Sequence, residues 1–283
     1  MNFWGRLLTI DRRWIFLVLA IAVTYPLIKP FNMEIDITEE SRQFYAAVDR
    51  LPEGSTLLIS FDHGPSAVPE LQPVAEGVIQ HAFKKNVKVI TIALWPDGLL
   101  LSQQVIRGIA DSMGKKYGED YVTLGYYSGV VAGITQIGSN IKTAFPKDAN
   151  GTPTDQIPML RNITNYSDIA MVLGLTAGDS ADWWIALANG RFHARVVLGC
   201  TAVMASDYYA YLQTKQLDGL IGGLKAAGEY QKLVTGDNTK EMYRRVDAQS
   251  MIHLVIVSFV ILGNVGYFLS RKKKIPAGGK GKG

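Results

Sequence analysis

The segment Ser55–Ser66, STLLISFDHGPS, is the feature that most constrains the fold of this chain. The apolar run Leu57–Ile59 and Phe61 gives way within one residue to Asp62, His63 and a Gly-Pro-Ser turn. A short, strongly apolar run bounded by turn residues is typical of a buried strand. Because the amphipathic segment Val68–Lys85 follows, we predict a strand, a tight turn and a crossover helix, which together begin a parallel sheet.

The same order of elements recurs along the chain. Four further β-rich segments precede amphipathic ones, and the predicted strands after the first are Asn86–Leu94, Tyr121–Leu124, Asp168–Leu173 and Ala194–Leu198. From Ala202 to about Val234 we predict helix, with a break near Thr214. Strands that alternate with helices indicate an α/β fold, so we expect a Rossmann-like, mostly parallel sheet of about five strands with helices on both faces.

Two apolar segments flank this region. Ala248–Ser270 is an uncharged run of 23 residues, long enough to cross a hydrocarbon core as a helix. Near the other terminus, Trp14–Ile28 is uncharged, and Lys29 can snorkel so that a helix reaches Met33. We therefore predict two transmembrane helices, while a cleaved signal peptide is the alternative interpretation of the first segment.

The distribution of charge predicts the topology. Arg6, Arg12 and Arg13 precede the first apolar segment, and the run Arg271–Lys274 follows the second, so we expect both termini in the cytoplasm. Residues 30–270 hold 19 basic and 24 acidic side chains, and a net acidic middle argues against a nucleic-acid-binding protein. The lone Cys200 excludes an intrachain disulfide and is typical of a small buried side chain.

Polar side chains follow each predicted strand. The carboxyl ends of parallel strands share one edge of the sheet, where ligands of such folds bind. The sequence therefore predicts a ligand-binding crevice, although turn and helix-capping roles account for the same residue types. The predicted ligand-binding residues are Asp62, His63, Trp95, Asp97, Tyr127, Ser128, Thr176, Asp179 and Ser180.

Motifs for specific chemistry are absent from the sequence. There is no G-x-S-x-G elbow, so Asp62, His63 and Ser128 or Ser180 make only a weak case for a serine hydrolase. The four histidines lack zinc-site spacing, although an oxygen-rich metal site at Asp62, His63 and Asp97 remains an alternative. Neither phosphate-binding glycine motif is present. We predict no cofactor, no metal and no catalytic residues.

Glycine-rich segments near the C-terminus suggest close packing. Glycines in a helix are destabilising unless another backbone must approach closely, so the alternatives are packing within the chain and an interface with another subunit. The predicted interface residues are Gly219, Gly222, Gly223, Gly263, Asn264 and Gly266.

These features lead to one functional hypothesis. We expect a two-pass protein of the cell (inner) membrane that acts without catalysis as a scaffold or accessory subunit, in contact with lipid and either homo-oligomeric or bound to other membrane subunits. The alternatives are a ligand-sensing or solute-binding module and a hydrolase. The expected boundaries are a cytoplasmic tail at 1–13, membrane helices at 14–33 and 248–270, an extracytoplasmic domain at 34–247 and a basic cytoplasmic tail at 271–283.

Overall fold

The computed structural model describes residues 11–33, 36–237 and 239–271. These residues form two compact units, one within Met1–Glu34 and Thr239–Gly283 and the other within Ile35–Asn238. Most of the predicted cytoplasmic tails, at 1–10 and 272–283, lies outside the described residues.

The larger unit is a sheet covered by helices. Its strands are β1 (Thr56–Asp62), β2 (Lys88–Ala93), β3 (Tyr121–Tyr126), β4 (Met171–Thr176), β5 (Val196–Cys200) and β6 (Gly219–Gly222). Its helices are α2 (Glu39–Asp49), α3 (Val68–Lys84), α4 (Gly98–Ser112), α5 (Val130–Ser139), α6 (Ile141–Ala144), α7 (Ser180–Trp183), α8 (Ala202–Gln213) and α9 (Gly223–Thr235). A π-helical turn, Trp184–Asn189, continues α7, and short 3-10 turns lie at 65–67, 154–156, 158–160 and 166–168.

The six strands are parallel and lie in the order β3-β2-β1-β4-β5-β6. This is the strand order of a Rossmann fold, so the predicted Rossmann-like parallel sheet is confirmed, with six strands rather than about five. The order reverses between β1 and β4, and their carboxyl ends flank the switch point where such folds bind ligands.

Both faces of the sheet are buried. Leu58, Ile90 and Val172 point into a core that also contains Ile134 of α5 and Trp184. Side chains alternate between faces along a strand, so Leu57 and Ile59 point the other way, toward the side covered by α2, α3, α4 and α9. The burial of every residue of β1 explains why its sequence is an almost unbroken apolar run.

The sixth strand contradicts the prediction of a helix through Gly219–Gly223. Its four residues, Gly-Leu-Ile-Gly, pair with β5 from Val197↔Gly219 to Cys200↔Gly222. Glycine is unfavourable in a strand, so local propensity gave no signal for it. Close packing requires glycine at this position, because a Cβ on Gly219 would lie 2.8 Å from Phe44 Cα.

Two consecutive helices occupy the chain between β3 and the long irregular segment before β4. Helix α5 ends at Ser139, and Asn140 adopts an extended conformation that begins α6. The Asn140 side chain accepts hydrogen bonds from Lys142 N at 2.9 Å and Thr143 N at 3.2 Å. The side chain therefore caps the second helix, the usual role of asparagine at such a position.

The smaller unit is a pair of packed helices, α1 (Arg12–Ile28) and α10 (Lys240–Arg271). Among the described residues, α10 alone is long and apolar enough to cross a membrane, over Lys240–Leu269. The predicted two spans therefore reduce to one such helix. Helix α1 ends at Ile28 rather than at Met33, because Lys29 precedes Pro30 and a residue before proline disfavours the helical conformation.

A buried carboxylate joins the two helices. Asp247 of α10 accepts hydrogen bonds from the backbone N–H groups of Phe31, Asn32 and Met33, at 2.6, 3.0 and 3.4 Å. These bonds place the start of α10 beside the chain that leaves α1, so the helices run in opposite directions. These three N–H groups follow the end of α1 and have no helical hydrogen-bond acceptor. The Asp247 carboxylate therefore accepts all three of their hydrogen bonds.

Candidate functional site

The switch point between β1 and β4 is the candidate site. Asp62 is the last residue of β1, and Thr176 is the last residue of β4 and pairs with it. Two predicted site residues follow directly, His63 after β1 and Ser180 at the start of α7. The structure thus brings four of the nine predicted residues to the point where the fold places its ligands.

Asp62 is a fully buried carboxylate with three hydrogen-bond donors. Oδ1 accepts from Ser60 Oγ at 2.6 Å and from Leu94 N at 3.0 Å, and Oδ2 accepts from Trp184 Nε1 at 2.7 Å. These donors belong to β1, to the chain after β2 and to the helix after β4. The carboxylate therefore links three segments of the fold at the switch point.

The ionisation of Asp62 reflects two opposed effects. Burial raises the pKa of Asp62 to about 6, while the hydrogen bonds from Ser60, Trp184 and Leu94 lower it. Three donors and no acceptor suit the ionised form, which only accepts hydrogen bonds. At neutral pH the site therefore contains a buried anion held by neutral dipoles.

His63 is also buried, with 1% of its surface exposed. Its Nδ1 lies 3.2 Å from the carbonyl oxygen of Gly64, and its Nε2 has no hydrogen-bond partner. Burial lowers the pKa of His63, so the ring is neutral at pH 7 and the bond to the carbonyl places the proton on Nδ1. Nε2 is then a free acceptor in a buried position.

Thr176 and Ser180 complete the buried group. Their hydroxyl oxygens are 2.6 Å apart, and Thr176 Oγ1 also donates to the Gly178 carbonyl at 3.0 Å. Both side chains are fully buried. Because the two hydroxyls are engaged with each other and with the turn after β4, neither is presented as a nucleophile.

A second group of predicted residues is exposed above the buried ones. Trp95, Asp97 and Asp179 are solvent-exposed. A Cβ on Gly178 would lie 3.3 Å from the Trp95 ring, and one on Gly64 would lie 3.4 Å from Asp97 Oδ2. The turn after β2 therefore lies across the end of β1 and reaches the turn after β4.

Tyr127 and Ser128 lie beyond this group, after the edge strand β3. Tyr127 packs edge-on against Phe145, with ring centroids 5.9 Å apart, and its backbone N–H donates to the Ala93 carbonyl. Ser128 is exposed. The structure therefore gives Tyr127 a packing role and does not bring Ser128 to the switch point.

Sequence reasoning missed three participants. Ser60 and Trp184 donate to Asp62, and the backbone of Leu94 provides the third bond. The role of Ser60 could have been predicted, because this hydroxyl interrupts the apolar run of β1 and lies on the same face as Asp62. The role of Trp184 could not, because nothing in the local pattern shows which of Trp183 and Trp184 is buried.

A groove of about 1140 Å³ lies at the other end of the larger unit. It runs between α2 and the end of α8, beside the residues that precede β5 and β6. Its cationic lining residues include Arg42, Arg50, Arg195 and Lys215. Arg195 is paired with Asp218 at 2.6 Å. No predicted site residue lines this groove.

The predicted interface glycines in the larger unit pack within the chain. A Cβ on Gly222 would lie 2.3 Å from the Ala205 Cβ, and one on Gly223, whose φ is +77°, would lie 2.6 Å from the Ala202 Cβ. The close approach expected of these glycines is therefore met by α8 of the same molecule. A role for them between subunits stays a prediction.

The two glycines of the second apolar segment differ in their surroundings. A Cβ on Gly263 would meet no atom within 4 Å, whereas Gly266 is buried. Asn264 donates from Nδ2 to the Val260 carbonyl of its own helix at 2.8 Å. Their predicted interface role also stays a prediction. Among the described residues, no group of three or more His, Cys, Asp or Glu side chains is arranged to hold a metal ion.

No family model and no curated protein matches this chain. Similar solved structures include levodione reductase, at 11% identity and a TM-score of 0.27, over 65% of this chain and 84% of the reductase. Trehalose-6-phosphate synthase OtsA is similar at 11% identity and a TM-score of 0.29, over 86% of this chain and 48% of the synthase. Likeness at this level carries no conclusion about function, and the fold assignment rests on the strand order.

Proposed function

We propose that this protein is a membrane-anchored accessory subunit, whose Rossmann-like domain lies outside the cytoplasm and holds a membrane assembly together without catalysis. The observation that carries the proposal is the engagement of Asp62. Its two oxygens are occupied by three structural donors, at the position where enzymes of this architecture place reactive or ligand-binding groups.

The helix pair supports the anchor. In α10 the apolar side chains are exposed, and in α1 Trp14 and Phe16 are each 64% exposed and Ile28 is 73% exposed. A large exposed apolar surface requires a covering, and a bilayer covers helices of this composition. At about 1.5 Å per residue the 17 residues of α1 span about 26 Å, less than the roughly 30 Å of a hydrocarbon core, so α10 is the helix that meets the length of a span by itself.

The sequence charges support the orientation. Basic residues precede the first helix and follow the second, and the positive-inside rule places both on the cytoplasmic side. An antiparallel pair of membrane helices is the arrangement that this topology requires. The helices then lie in the cell (inner) membrane, and the domain that connects them in sequence lies outside the cytoplasm.

A ligand-sensing module is the second candidate, and His63 favours it. Its buried Nε2 lacks a donor, and a buried polar atom without a partner marks a place where a ligand group or a water is bound. A ligand there would donate a hydrogen bond to His63 Nε2. This candidate requires the turns after β2 and β4 to separate.

Native mass spectrometry of the protein, extracted mildly from its own membrane, tests the two candidates. The accessory role predicts retention in the membrane after alkaline carbonate and a mass well above the 31.1 kDa of one chain. A carbonate-soluble protein, or a single chain in the membrane, contradicts it. A small-molecule adduct present in the wild type and absent in His63→Ala supports the sensing module instead.

A further inference from the structure

The exposed apolar side chains of the larger unit are concentrated at one edge. In the described part of Ile35–Asn238, seven large hydrophobic side chains are exposed, and all but Tyr209 lie within seven residues of the last residue of a strand. We call these six the apolar rim: Trp95, Leu100, Tyr126, Val131, Trp183 and Val203. Because the strands are parallel, the rim occupies the carboxyl edge of the sheet.

Two tryptophans of the rim lie near the switch point. Trp95 follows β2 and reaches the turn after β4, where a Cβ on Gly178 would lie 3.3 Å from its ring. Trp183 belongs to the helix that follows the same turn. Both tryptophans are more than a third exposed, and Val203 after β5 is 86% exposed. Exposed apolar patches of this kind mark interaction surfaces on proteins.

After the first five strands the charge of this edge has one sign, whereas the last strand, β6, is followed by Lys225 and Lys232. The ten residues that follow each of β1 to β5 contain no Lys or Arg, and they contain five acidic residues, Glu70, Asp97, Asp179, Asp182 and Asp207. The opposite edge contains both signs, with Lys84 and Lys85 before β2, Lys88 as its first residue, and acids such as Glu119 before β3. The carboxyl ends of β1 to β5 therefore differ from the amino ends in lacking basic residues.

Helix dipoles account for part of this polarity. Acidic residues at helix N-termini are stabilising by about 0.3–1 kcal/mol each, and the helices after the strands begin at this edge. However, Asp97 and Asp179 occupy N-cap positions without accepting a capping hydrogen bond. Their carboxylates remain exposed beside the tryptophans, and the helix dipole gives no reason for those aromatic rings to be exposed.

We infer that the apolar rim docks a basic polypeptide segment of a partner protein. Arginine or lysine side chains would pair with Asp97 and Asp179 and stack on the faces of Trp95 and Trp183, while apolar partner residues cover Leu100 and Val203. Nucleic acids and anionic lipid surfaces carry phosphates that this edge would repel. The inference rests on the proposed accessory role and gives that role a binding surface and a partner chemistry.

Binding of defined peptides to the full-length protein in phosphatidylcholine nanodiscs tests the inference. The probe is a fluorescent peptide of alternating Arg, Leu and Ser, compared with the same peptide carrying Glu in place of Arg and with empty nanodiscs. We expect binding of the Arg peptide alone, weakened by salt. Trp95→Ala with Trp183→Ala should weaken binding by at least about tenfold, as loss of central aromatic residues does at interfaces.

Variants that change only charge separate an effect on binding from an effect on folding. Asp97→Asn with Asp179→Asn preserves the shape of the rim and should weaken binding and its salt dependence. Two matched controls should bind as the wild type does: Glu119→Gln, which removes an exposed acid before β3, and Tyr209→Ala, which removes the exposed large apolar side chain that lies away from the rim in the described part of the larger unit.

Three outcomes would overturn the inference. The first is equal binding by the rim variants and the wild type, or no binding at all. The second is quenching by brominated lipid that disappears in Trp95→Phe with Trp183→Phe, which would make the bilayer the occupant. The third is carbodiimide cross-linking of Asp97 or Asp179 to Lys272–Lys274, which would make the chain's own tail the occupant. A membrane complex that survives either of the first two failures leaves the accessory role standing, whereas the third outcome would also contradict a domain outside the cytoplasm.

Discussion

At the residue scale, the environment of Asp62 differs from the one that its position in the sequence suggests. The sequence places an acid at the end of an apolar strand, which is compatible with an exposed turn position. The structure buries it fully among three donors. Asp62 therefore lies in the core rather than at an exposed turn, because the turn after β2 and the helix after β4 each donate a hydrogen bond to it.

The first prediction concerns the stability that Asp62 provides. Asp62→Ala leaves the donors of Ser60, Leu94 and Trp184 without an acceptor in a buried site, so we expect the free energy of unfolding to fall by about 2–4 kcal/mol. The matched control is Asp97→Ala, an exposed acid at the same edge, with an expected change below about 0.5 kcal/mol. Urea unfolding in mild detergent, followed by tryptophan fluorescence, measures both. Equal effects of the two substitutions would contradict the structural role of Asp62.

The second prediction concerns pH. The pKa of Asp62 is raised by burial from 3.8 to about 6 in the folded protein, so the folded state binds the proton more tightly than the unfolded state does. The stabilising contribution is therefore complete below pH 4 and is lost as the pH rises through 6, an effect of about 3 kcal/mol. The free energy of unfolding of the wild type, minus that of Asp62→Asn, should fall between pH 4 and 7. A difference that rises with pH would refute the raised pKa.

At the element scale, the strands with strong apolar patterns could be predicted from sequence and the sixth could not. Leu57–Ile59 and Val89–Ile92 carry enough apolar and β-branched residues to specify buried strands by themselves. In β6 two glycines flank two apolar residues, and the conformation depends on neighbours distant in sequence, namely Phe44 and β5. The candidate site divides in the same way, since polar residues after strands are visible in the sequence while their burial is not.

The third prediction separates packing from assembly at these glycines. Gly222→Ala would bring a methyl group to 2.3 Å from the Ala205 Cβ, so we expect the domain to lose about 1–3 kcal/mol of stability without a prior loss of assembly. Gly108→Ala is the control, because a Cβ there meets no atom within 4 Å on an exposed face of α4. That substitution should be stabilising by about 1 kcal/mol. Thermal unfolding by circular dichroism, together with size on a detergent column, distinguishes the two effects. Dissociation of a folded Gly222→Ala protein would restore the interface interpretation.

At the scale of the whole molecule, the chain combines a helix pair with exposed apolar surface and a domain whose strand edge is acidic and aromatic. The bonds from Asp247 to the backbone of 31–33 hold the helix pair at the end where the chain leaves α1. Sequence alone predicted the apolar segments but not this bond, because the two partners are more than 200 residues apart.

The fourth prediction concerns this bond. Asp247→Ala leaves three backbone N–H groups without their acceptor and should loosen the helix pair, which we expect to appear as faster protease cleavage at residues 29–33. Glu241→Ala is the control, since it removes an exposed acid of the same helix that pairs with Arg245. Limited proteolysis in nanodiscs compares them. Cleavage of Asp247→Ala at the wild-type rate would show that the bond does not hold the pair.

Thiol labelling in intact cells tests the central claim, a domain anchored in the membrane and held outside the cytoplasm, most directly. Cys200 is the single cysteine and is buried, so Asn150→Cys and Lys280→Cys can be compared in a Cys200→Ala background. The account predicts that an impermeant maleimide labels Asn150→Cys at once and labels Lys280→Cys only after the membrane is permeabilised. Protection of Asn150→Cys with labelling of Lys280→Cys would contradict it.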